Sequence, residues 1–261
     1  MADPTPLPLA FTDTGAGRPL LILHGLFGSK RNWGAIAKVL SAHRRVLSLD
    51  LRNHGESPWD PVMTYPALAA DVAHFIHAHG LGCPDVIGHS MGGKTAMTLA
   101  LAHPELVRAL CVVDIAPAPS PGTFIHYVEA LRAMDLSHIV SRKDADALLA
   151  AAEKNPGIRA FLLQNLESGS GGYAWRVNLE ALSAAMENLL DFAAPSPGRS
   201  YKGPTLFLAG GASNYIGPHH HGEIERLFPA ARVEVLPGVG HWAHAEAPNL
   251  FLKHVTDFLG G

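Results

Sequence analysis

A serine set between glycines, Gly88-His89-Ser90-Met91-Gly92, is the stretch of this chain best suited to covalent chemistry. The short, β-branched segment Asp85-Val86-Ile87 before it predicts a buried strand, and residues 94–103 after it predict a helix. A serine between a strand and a helix lies on a sharp turn that exposes its hydroxyl, and the glycines avoid collisions across the turn. Free N–H groups at the helix start would stabilise a developing oxyanion.

A serine hydroxyl is a weak nucleophile at neutral pH, so it needs a base, and the base needs an orienting acid. The chain has 16 histidines. Among them, His241 has the position expected of the base, because it follows the last predicted strand in a glycine-flanked loop and precedes the terminal helix. The alternative interpretation of His241 is an ordinary histidine of a surface loop.

The acid is predicted at Asp114, at the end of the strand that follows the serine turn. In many enzymes with such a turn the acid lies later in the chain, but the corresponding stretch here, residues 210–216, contains no carboxylate. Asp114 could instead cap a turn. Glu180 and Asp191 are weaker candidates for the acid.

The expected oxyanion donors are two backbone N–H groups, those of Met91 and Leu26. Met91 follows the serine, and Leu26 follows His24-Gly25 in the loop after an early apolar strand. We interpret His24 as a residue that holds this loop in place. Three consecutive histidines, His219-His220-His221, point in different directions and have no completing cysteine or carboxylate set, so no metal site is predicted.

Strands and helices alternate from residue 19 to residue 115, which predicts a mostly parallel sheet with helices on both faces. Residues 117–202 contain helical patterns without a strand signal, and we predict a helical cap there. The sheet then resumes, so the α/β core comprises residues 1–116 and 203–261. The helices predicted in the cap are 123–134, 142–154, 158–164 and 179–192.

Composition excludes several classes of function. The 261 residues are 48% hydrophobic, which indicates a globular protein, and the net charge of −3 comes with no basic run that would attract nucleic acid. Cys83 and Cys111 do not form a disulfide framework. The first residues show neither a signal peptide nor an apolar membrane span, so a cytoplasmic protein is expected.

The motifs together resemble those of the α/β-hydrolases, and more narrowly the YbfF-like esterases. The resemblance extends over essentially the whole chain. It implies the α/β-hydrolase fold, the hydrolysis of esters or thioesters of small acyl substrates, and no cofactor. In the subfamily it places the acid at Asp114, whereas a related eukaryotic branch places it in the cap near Glu180. The stretches that carry the resemblance are residues 88–94, Val113-Asp114-Ile115-Ala116-Pro117, Asn53-His54-Gly55 and Gly240-His241-Trp242.

The sequence therefore predicts a serine carboxylic-ester or acyl-thioester hydrolase in which Ser90, His241 and Asp114 act through an acyl-enzyme. The turn carries serine and not aspartate, which speaks against haloalkane dehalogenase or epoxide hydrolase chemistry. Two alternatives stay open. The same residues could catalyse C–C bond hydrolysis, amide hydrolysis or perhydrolysis, or the protein could be a non-catalytic receptor for a small ligand under the cap.

Overall fold

Nine strands, ten α-helices and five short 3-10 helices form in the residues that the computed structural model describes, which are 5–122, 124–192 and 198–260. The strands are β1 (Phe11–Thr14), β2 (Pro19–Leu23), β3 (Arg45–Leu49), β4 (Asp85–His89), β5 (Ala109–Val113), β6 (Leu166–Gly169), β7 (Gly172–Trp175), β8 (Thr205–Gly210) and β9 (Ala231–Leu236). The helices are α1 (Gly34–Leu40), α2 (Tyr65–Ala78), α3 (Met91–Ala102), α4 (Ile125–Arg132), α5 (Arg142–Leu149), α6 (Pro156–Leu162), α7 (Leu179–Leu190), α8 (His221–Leu227), α9 (Ala243–Glu246) and α10 (Pro248–Leu259).

Seven strands make the central sheet, in the order β1-β3-β2-β4-β5-β8-β9. β1 is antiparallel to β3, and every other neighbouring pair is parallel. The mostly parallel sheet predicted from the sequence is confirmed. Because parallel strands end at the same edge, the loops after β2, β4, β5 and β8 meet there, and this edge is where ligands bind in such folds.

Helices cover both faces of the sheet, as predicted. Successive side chains of a strand point to opposite faces. In β2, Leu20 and Ile22 pack with residues of α1 and α10, whereas Leu21 and Leu23 pack with residues of α2 and α3. This explains why β2 is a continuous apolar run: both of its faces are buried.

Between β5 and β8 the chain forms α4, α5, α6, α7 and the two-stranded sheet β6-β7. The prediction that residues 117–202 contain no strand is wrong at this hairpin, whose four-residue strands are too short and glycine-rich to show a strand pattern. The predicted helix start at Thr123 lies outside the described residues. The division into core and cap at these boundaries stays a prediction. None of the helices in the described ranges combines the length and apolar character needed to cross a membrane.

The close approach of α3 to the sheet requires glycine at two positions of the serine turn. A Cβ atom on Gly88 would lie 2.3 Å from the carbonyl oxygen of Gly92, and a Cβ atom on Gly92 would lie 2.4 Å from that of Leu23. Both neighbours are backbone atoms of packed elements, so neither can move independently. The spacing of the glycines is therefore a steric condition for the turn.

Replacing Gly92 by alanine should lower the free energy of unfolding by about 1–3 kcal/mol, because the methyl group overlaps the end of β2. The matched control is Gly34→Ala, where φ is −54° and, apart from the chain neighbours and the backbone of its own helix, no atom of the described residues lies within 4 Å of the added Cβ. That change should be neutral or stabilise by about 0.4–1 kcal/mol through the unfolded state. Urea denaturation measures both values, and equal effects of the two substitutions would contradict the steric argument.

Candidate active site

Ser90 lies on the turn between β4 and α3 with φ 52° and ψ −117°, a conformation that is strained for a serine. Its N–H donates to the carbonyl of Val113 in the neighbouring strand at 3.1 Å, which helps to hold the turn. Ser90 is also the residue before the first turn of α3, so it faces the positive end of the helix dipole. The predicted strand-turn-helix arrangement is present at this position.

Asp114 follows β5 directly, is fully buried and has a positive φ of 48°. Its Oδ1 accepts from the N–H of Gly210 at 2.8 Å, and its Oδ2 accepts from the hydroxyl of Ser213 and from Nδ1 of His241, the latter at 2.8 Å. An ionised carboxylate, which only accepts hydrogen bonds, satisfies all three donors. The loop after β8, which lacks a carboxylate of its own, thus holds the carboxylate of Asp114.

His241 is oriented by its contacts on several sides. Because its Nδ1 donates to Asp114, Nε2 is left as the acceptor on the other side of the ring. Tyr215 stacks on the imidazole with ring centroids 4.0 Å apart, and Nε2 of His89 donates to the main-chain oxygen of His241 at 2.8 Å. These contacts restrict both the ring and the backbone of His241.

Glu246 holds the loop that carries His241. One carboxylate oxygen accepts from the N–H of Gly240 at 2.7 Å, and the other accepts from the N–H of Trp242 at 3.1 Å. Sequence reasoning missed Glu246, Ser213 and Tyr215. Only the spacing of Glu246 from the glycine-flanked histidine could have suggested a loop-capping role, because the other two contacts depend on long-range placement.

The loop after β2 turns sharply at Gly25–Gly28, where the N–H of Gly28 donates to the carbonyl of Gly25 at 2.9 Å. Phe27 has a φ of 60°, and its N–H donates to Nε2 of His54 at 3.3 Å. Asn165, which lies between α6 and β6, donates to the carbonyl of Phe27 at 2.8 Å. The turn is therefore fixed by side chains that come from two distant parts of the chain.

Two backbone N–H groups beside Ser90 are available as donors. The N–H of Leu26 forms no hydrogen bond with any residue in the described ranges. Met91 is the first residue of α3, where helix geometry provides no partner for an N–H group. Leu26 and Ser90 line the same cavity, and the role of the two N–H groups as oxyanion donors stays a prediction.

Two neutral histidines support this loop. Nδ1 of His24 donates to the carbonyl of Gly25 at 2.8 Å, and its Nε2 accepts from the N–H of Leu51 at 3.0 Å. Burial lowers the pKa of His24 below its usual value and lowers the pKa of His54 to about 3. Both rings therefore act as uncharged hydrogen-bonding groups at neutral pH.

The other residues considered for chemistry lie elsewhere. Glu180 is exposed and pairs with Arg132 at 2.6 Å, and among the described residues it has no contact with His241. One side-chain oxygen of Asp191 accepts from the N–H of Phe192 at 2.8 Å. His220 accepts from the N–H of Gly217 at 3.0 Å, and the described ranges contain no group of His, Cys, Asp and Glu side chains arranged to hold a metal ion.

Two narrow cavities meet at Ser90, and both are also lined by Leu26 and Phe124. We call the first the histidine chamber, because it is lined by His241 and Trp242. We call the second the lysine chamber, because it is lined by Met91 and Lys94. Residues of α4 and α6 form part of the wall of the histidine chamber, and residues of α7 form part of the wall of the lysine chamber.

The sequence model of the alpha/beta hydrolase family matches residues 20–253, a range that includes Ser90, Asp114 and His241. The chain belongs to the α/β-hydrolase family. This agrees with the sheet order and with the glycine-flanked serine between β4 and α3.

Several relatives of this α/β-hydrolase have names that include an activity. A mouse protein named sn-1-specific diacylglycerol lipase ABHD11 is 44% identical over 99% of this chain and 87% of its own length. The esterase YbfF of Escherichia coli is 33% identical over 92% of both chains, which confirms the predicted resemblance. A solved structure described as a marine microorganism esterase is 37% identical, has a TM-score of 0.93, and matches 97% of this chain and 99% of its own.

Asp114→Asn should reduce ester hydrolysis by about 10⁴-fold, because an amide at this position no longer selects the tautomer that leaves Nε2 free. Asparagine tolerates a positive φ, so the backbone should be retained. Glu180→Gln serves as the matched control and should hydrolyse esters at the wild-type rate. Steady-state kcat for p-nitrophenyl butyrate measures both, and a larger loss in Glu180→Gln would assign the acid to the helical segment.

Acid should destabilise this α/β-hydrolase through its buried histidines. Burial lowers the pKa values of His24, His54, His89 and His244, the last to about 4. Each folded-state pKa lies below the unfolded value of about 6.5, so the unfolded chain binds more protons as the pH falls below 6.5. The free energy of unfolding should therefore be fully retained above that pH and decrease below it.

His54→Gln keeps an acceptor for the N–H of Phe27 but removes one of these titrations. Between about pH 6.5 and pH 5, the free energy of unfolding of this variant should depend less steeply on pH than that of the wild type. The difference in slope should be up to about 1.4 kcal/mol per pH unit. Urea denaturation at several pH values measures the slopes. The control is His138→Gln, which replaces a histidine whose side chain is 87% exposed. Parallel slopes for wild type and His54→Gln would refute the contribution of His54 to the loss of stability in acid.

Proposed function

We propose that this α/β-hydrolase is a serine hydrolase of carboxylic esters or acyl thioesters. The observation that carries the proposal is the 2.8 Å hydrogen bond between Nδ1 of His241 and Asp114, which leaves Nε2 of His241 as a base in a cavity that Ser90 also lines. Relatives named as esterases and as a lipase support ester hydrolysis. No part of this chemistry needs a cofactor.

In the first half of the reaction, Oγ of Ser90 attacks the carbonyl carbon while Nε2 of His241 takes the hydroxyl proton. The N–H groups of Leu26 and Met91 donate to the oxyanion of the tetrahedral intermediate, and donors of this kind contribute about 2.7–4 kcal/mol. Asp114 stabilises the imidazolium. As the intermediate collapses, His241 returns the proton to the leaving alcohol or thiol, and an acyl-Ser90 ester remains.

In the second half, water occupies the place of the leaving group. His241 takes a proton from the water as its oxygen attacks the acyl carbon, and the same two N–H groups stabilise the second oxyanion. Collapse returns the proton to Oγ of Ser90 and releases the carboxylic acid. Apolar side chains of the predicted cap, Phe124 and Phe161 among them, line the histidine chamber and limit the access of bulk water.

Ser90→Ala tests the proposal directly. Wild type should hydrolyse p-nitrophenyl acetate and butyrate, and the variant should lose about 10⁶-fold in kcat, because the nucleophile is absent. Ser168→Ala, on exposed β6, is the matched control and should retain wild-type turnover. A fluorophosphonate should add one phosphonyl group to the wild type at Ser90, read by peptide mass spectrometry.

Retention of turnover in Ser90→Ala would refute the assignment of the nucleophile. Folded wild-type protein that neither hydrolyses esters nor reacts with the fluorophosphonate would refute a serine hydrolase and favour the non-catalytic receptor. Labelling of Ser90 without ester turnover would favour one of the other α/β-hydrolase reactions.

A further inference from the structure

An open cleft of about 1070 Å³ lies outside the histidine chamber. It is formed by the loop at residues 29–32, by α6 and the residues that follow it, and by α9. Ile158, Phe161 and Trp242 line both this outer cleft and the histidine chamber, whereas no described residue lines both the outer cleft and the lysine chamber. Ser90 therefore lines both the histidine chamber, which adjoins the outer cleft, and the lysine chamber, which does not.

Hydrogen bonds of Lys94 hold together part of the wall of the lysine chamber, which Lys94, Ser120 and Leu190 all line. The buried Nζ of Lys94 donates to the hydroxyl of Ser120 and to the carbonyl of Leu190, each at 2.8 Å, and to the carbonyl of Asp191 at 3.0 Å. The N–H of Ser120 also donates to the carbonyl of Leu190 at 2.7 Å. These bonds join the start and the end of the predicted cap to α3, so the chamber cannot lengthen there without breaking them.

The chemistry of acyl transfer determines which part of a substrate enters each chamber. His241 must give its proton to the leaving oxygen or sulfur, so that atom has to lie on the histidine side of Ser90. The acyl carbon is bonded to Oγ of Ser90, and its substituent points away from the leaving atom. The leaving group therefore belongs in the histidine chamber and the acyl group in the lysine chamber.

We infer that this hydrolase acts on substrates that combine a short acyl group with a bulky, polar alcohol or thiol, and that the outer cleft binds the far part of that leaving group. The inference rests on the proposed function, since it uses the roles of Ser90 and His241. The acyl group ends at the barrier formed by Lys94. The leaving group passes Ile158, Phe161 and Trp242 and reaches the outer cleft.

The lining of the outer cleft indicates a leaving group rich in hydrogen-bonding groups. It is lined by the side-chain amides of Asn32 and Gln164, which hydrogen-bond to each other, and by two guanidinium groups. The guanidinium of Arg31 pairs with Glu56 at 3.2 Å, and the other guanidinium belongs to Arg142. Arg142 donates to main-chain carbonyls and, within the described residues, pairs with no carboxylate. Glu246 also lines the cleft, but its carboxylate already accepts two N–H groups. The cleft therefore suits a polar group that is neutral or anionic.

The leaving group is tested with two thioesters that share an acetyl group. S-acetylglutathione has a bulky, polar thiol, and S-ethyl thioacetate has a small, apolar one. Wild type should show a kcat/KM at least about tenfold higher for S-acetylglutathione, because binding of the remote part of the leaving group lowers the barrier. Thiol release, followed with a chromogenic disulfide, measures both rates.

Ala160→Trp fills the outer cleft at an exposed position of α6 that lines neither chamber. The ratio of kcat/KM for S-acetylglutathione to that for S-ethyl thioacetate should fall by about tenfold. Ala184→Trp places the same side chain on an exposed position of α7 outside the cleft and should keep the wild-type ratio. An unchanged ratio in Ala160→Trp would overturn the role of the outer cleft.

The acyl group is tested with p-nitrophenyl butyrate and p-nitrophenyl laurate, which share a leaving group. Butyrate should have the higher kcat/KM by at least about tenfold, because the lysine chamber cannot extend past Lys94 without breaking its hydrogen bonds. A preference for laurate would overturn the assignment of a short acyl group. Absence of turnover of all four substrates, or turnover that survives Ser90→Ala, would refute the proposed function itself and is thereby distinguishable from failure of this inference.

Discussion

The hydrogen bond between Asp114 and His241 joins residues 127 positions apart, and the rest of the site is arranged around it. It depends on the order of three neighbouring strands, because β8 lies between β5, which Asp114 follows, and β9, which precedes His241. The carboxylate reaches across the end of β8, where Gly210 and Ser213 donate to it. The end of β8 and the loop after it contribute hydrogen-bond donors in place of an acid. Both oxygens of the buried Asp114 carboxylate are therefore hydrogen-bonded.

Three histidines of the site region are neutral and fixed by hydrogen bonds. His24, His54 and His89 each orient main-chain groups, and burial keeps their rings uncharged at neutral pH. An oxyanion formed at Ser90 would be stabilised by oriented N–H dipoles, which need no rearrangement during the reaction. Backbone strain is concentrated at the same edge: within the described ranges, the non-glycine residues with positive φ are Phe27, Asn53, Ser90 and Asp114, which follow β2, β3, β4 and β5.

The sequence predicted most reliably what is local. The turn at Ser90 follows from a strand, two sterically required glycines and a helix, all within residues 85–102, and the apolar run of β2 follows from burial on both faces. The acid was harder to predict, because Asp114 and Glu180 differ in spatial surroundings that residue type does not reveal. Tyr215 was missed for the same reason, whereas the contacts of Glu246 are local, with the N–H groups of Gly240 and Trp242. The β6-β7 hairpin was missed because strands of four residues with terminal glycines lack a measurable period.

The order of the site residues along the chain has a consequence for synthesis. Leu26, Ser90, Met91 and Asp114 all precede α4, whereas His241 lies beyond β9. Under the proposed mechanism, a nascent chain that has completed β5 carries its nucleophile, its oxyanion donors and its acid but has no base. The hydroxyl of Ser90 then stays unactivated until β9 and the loop after it join the sheet. An unfinished chain is therefore inert toward the esters around it, and activity begins only when the whole sheet has assembled.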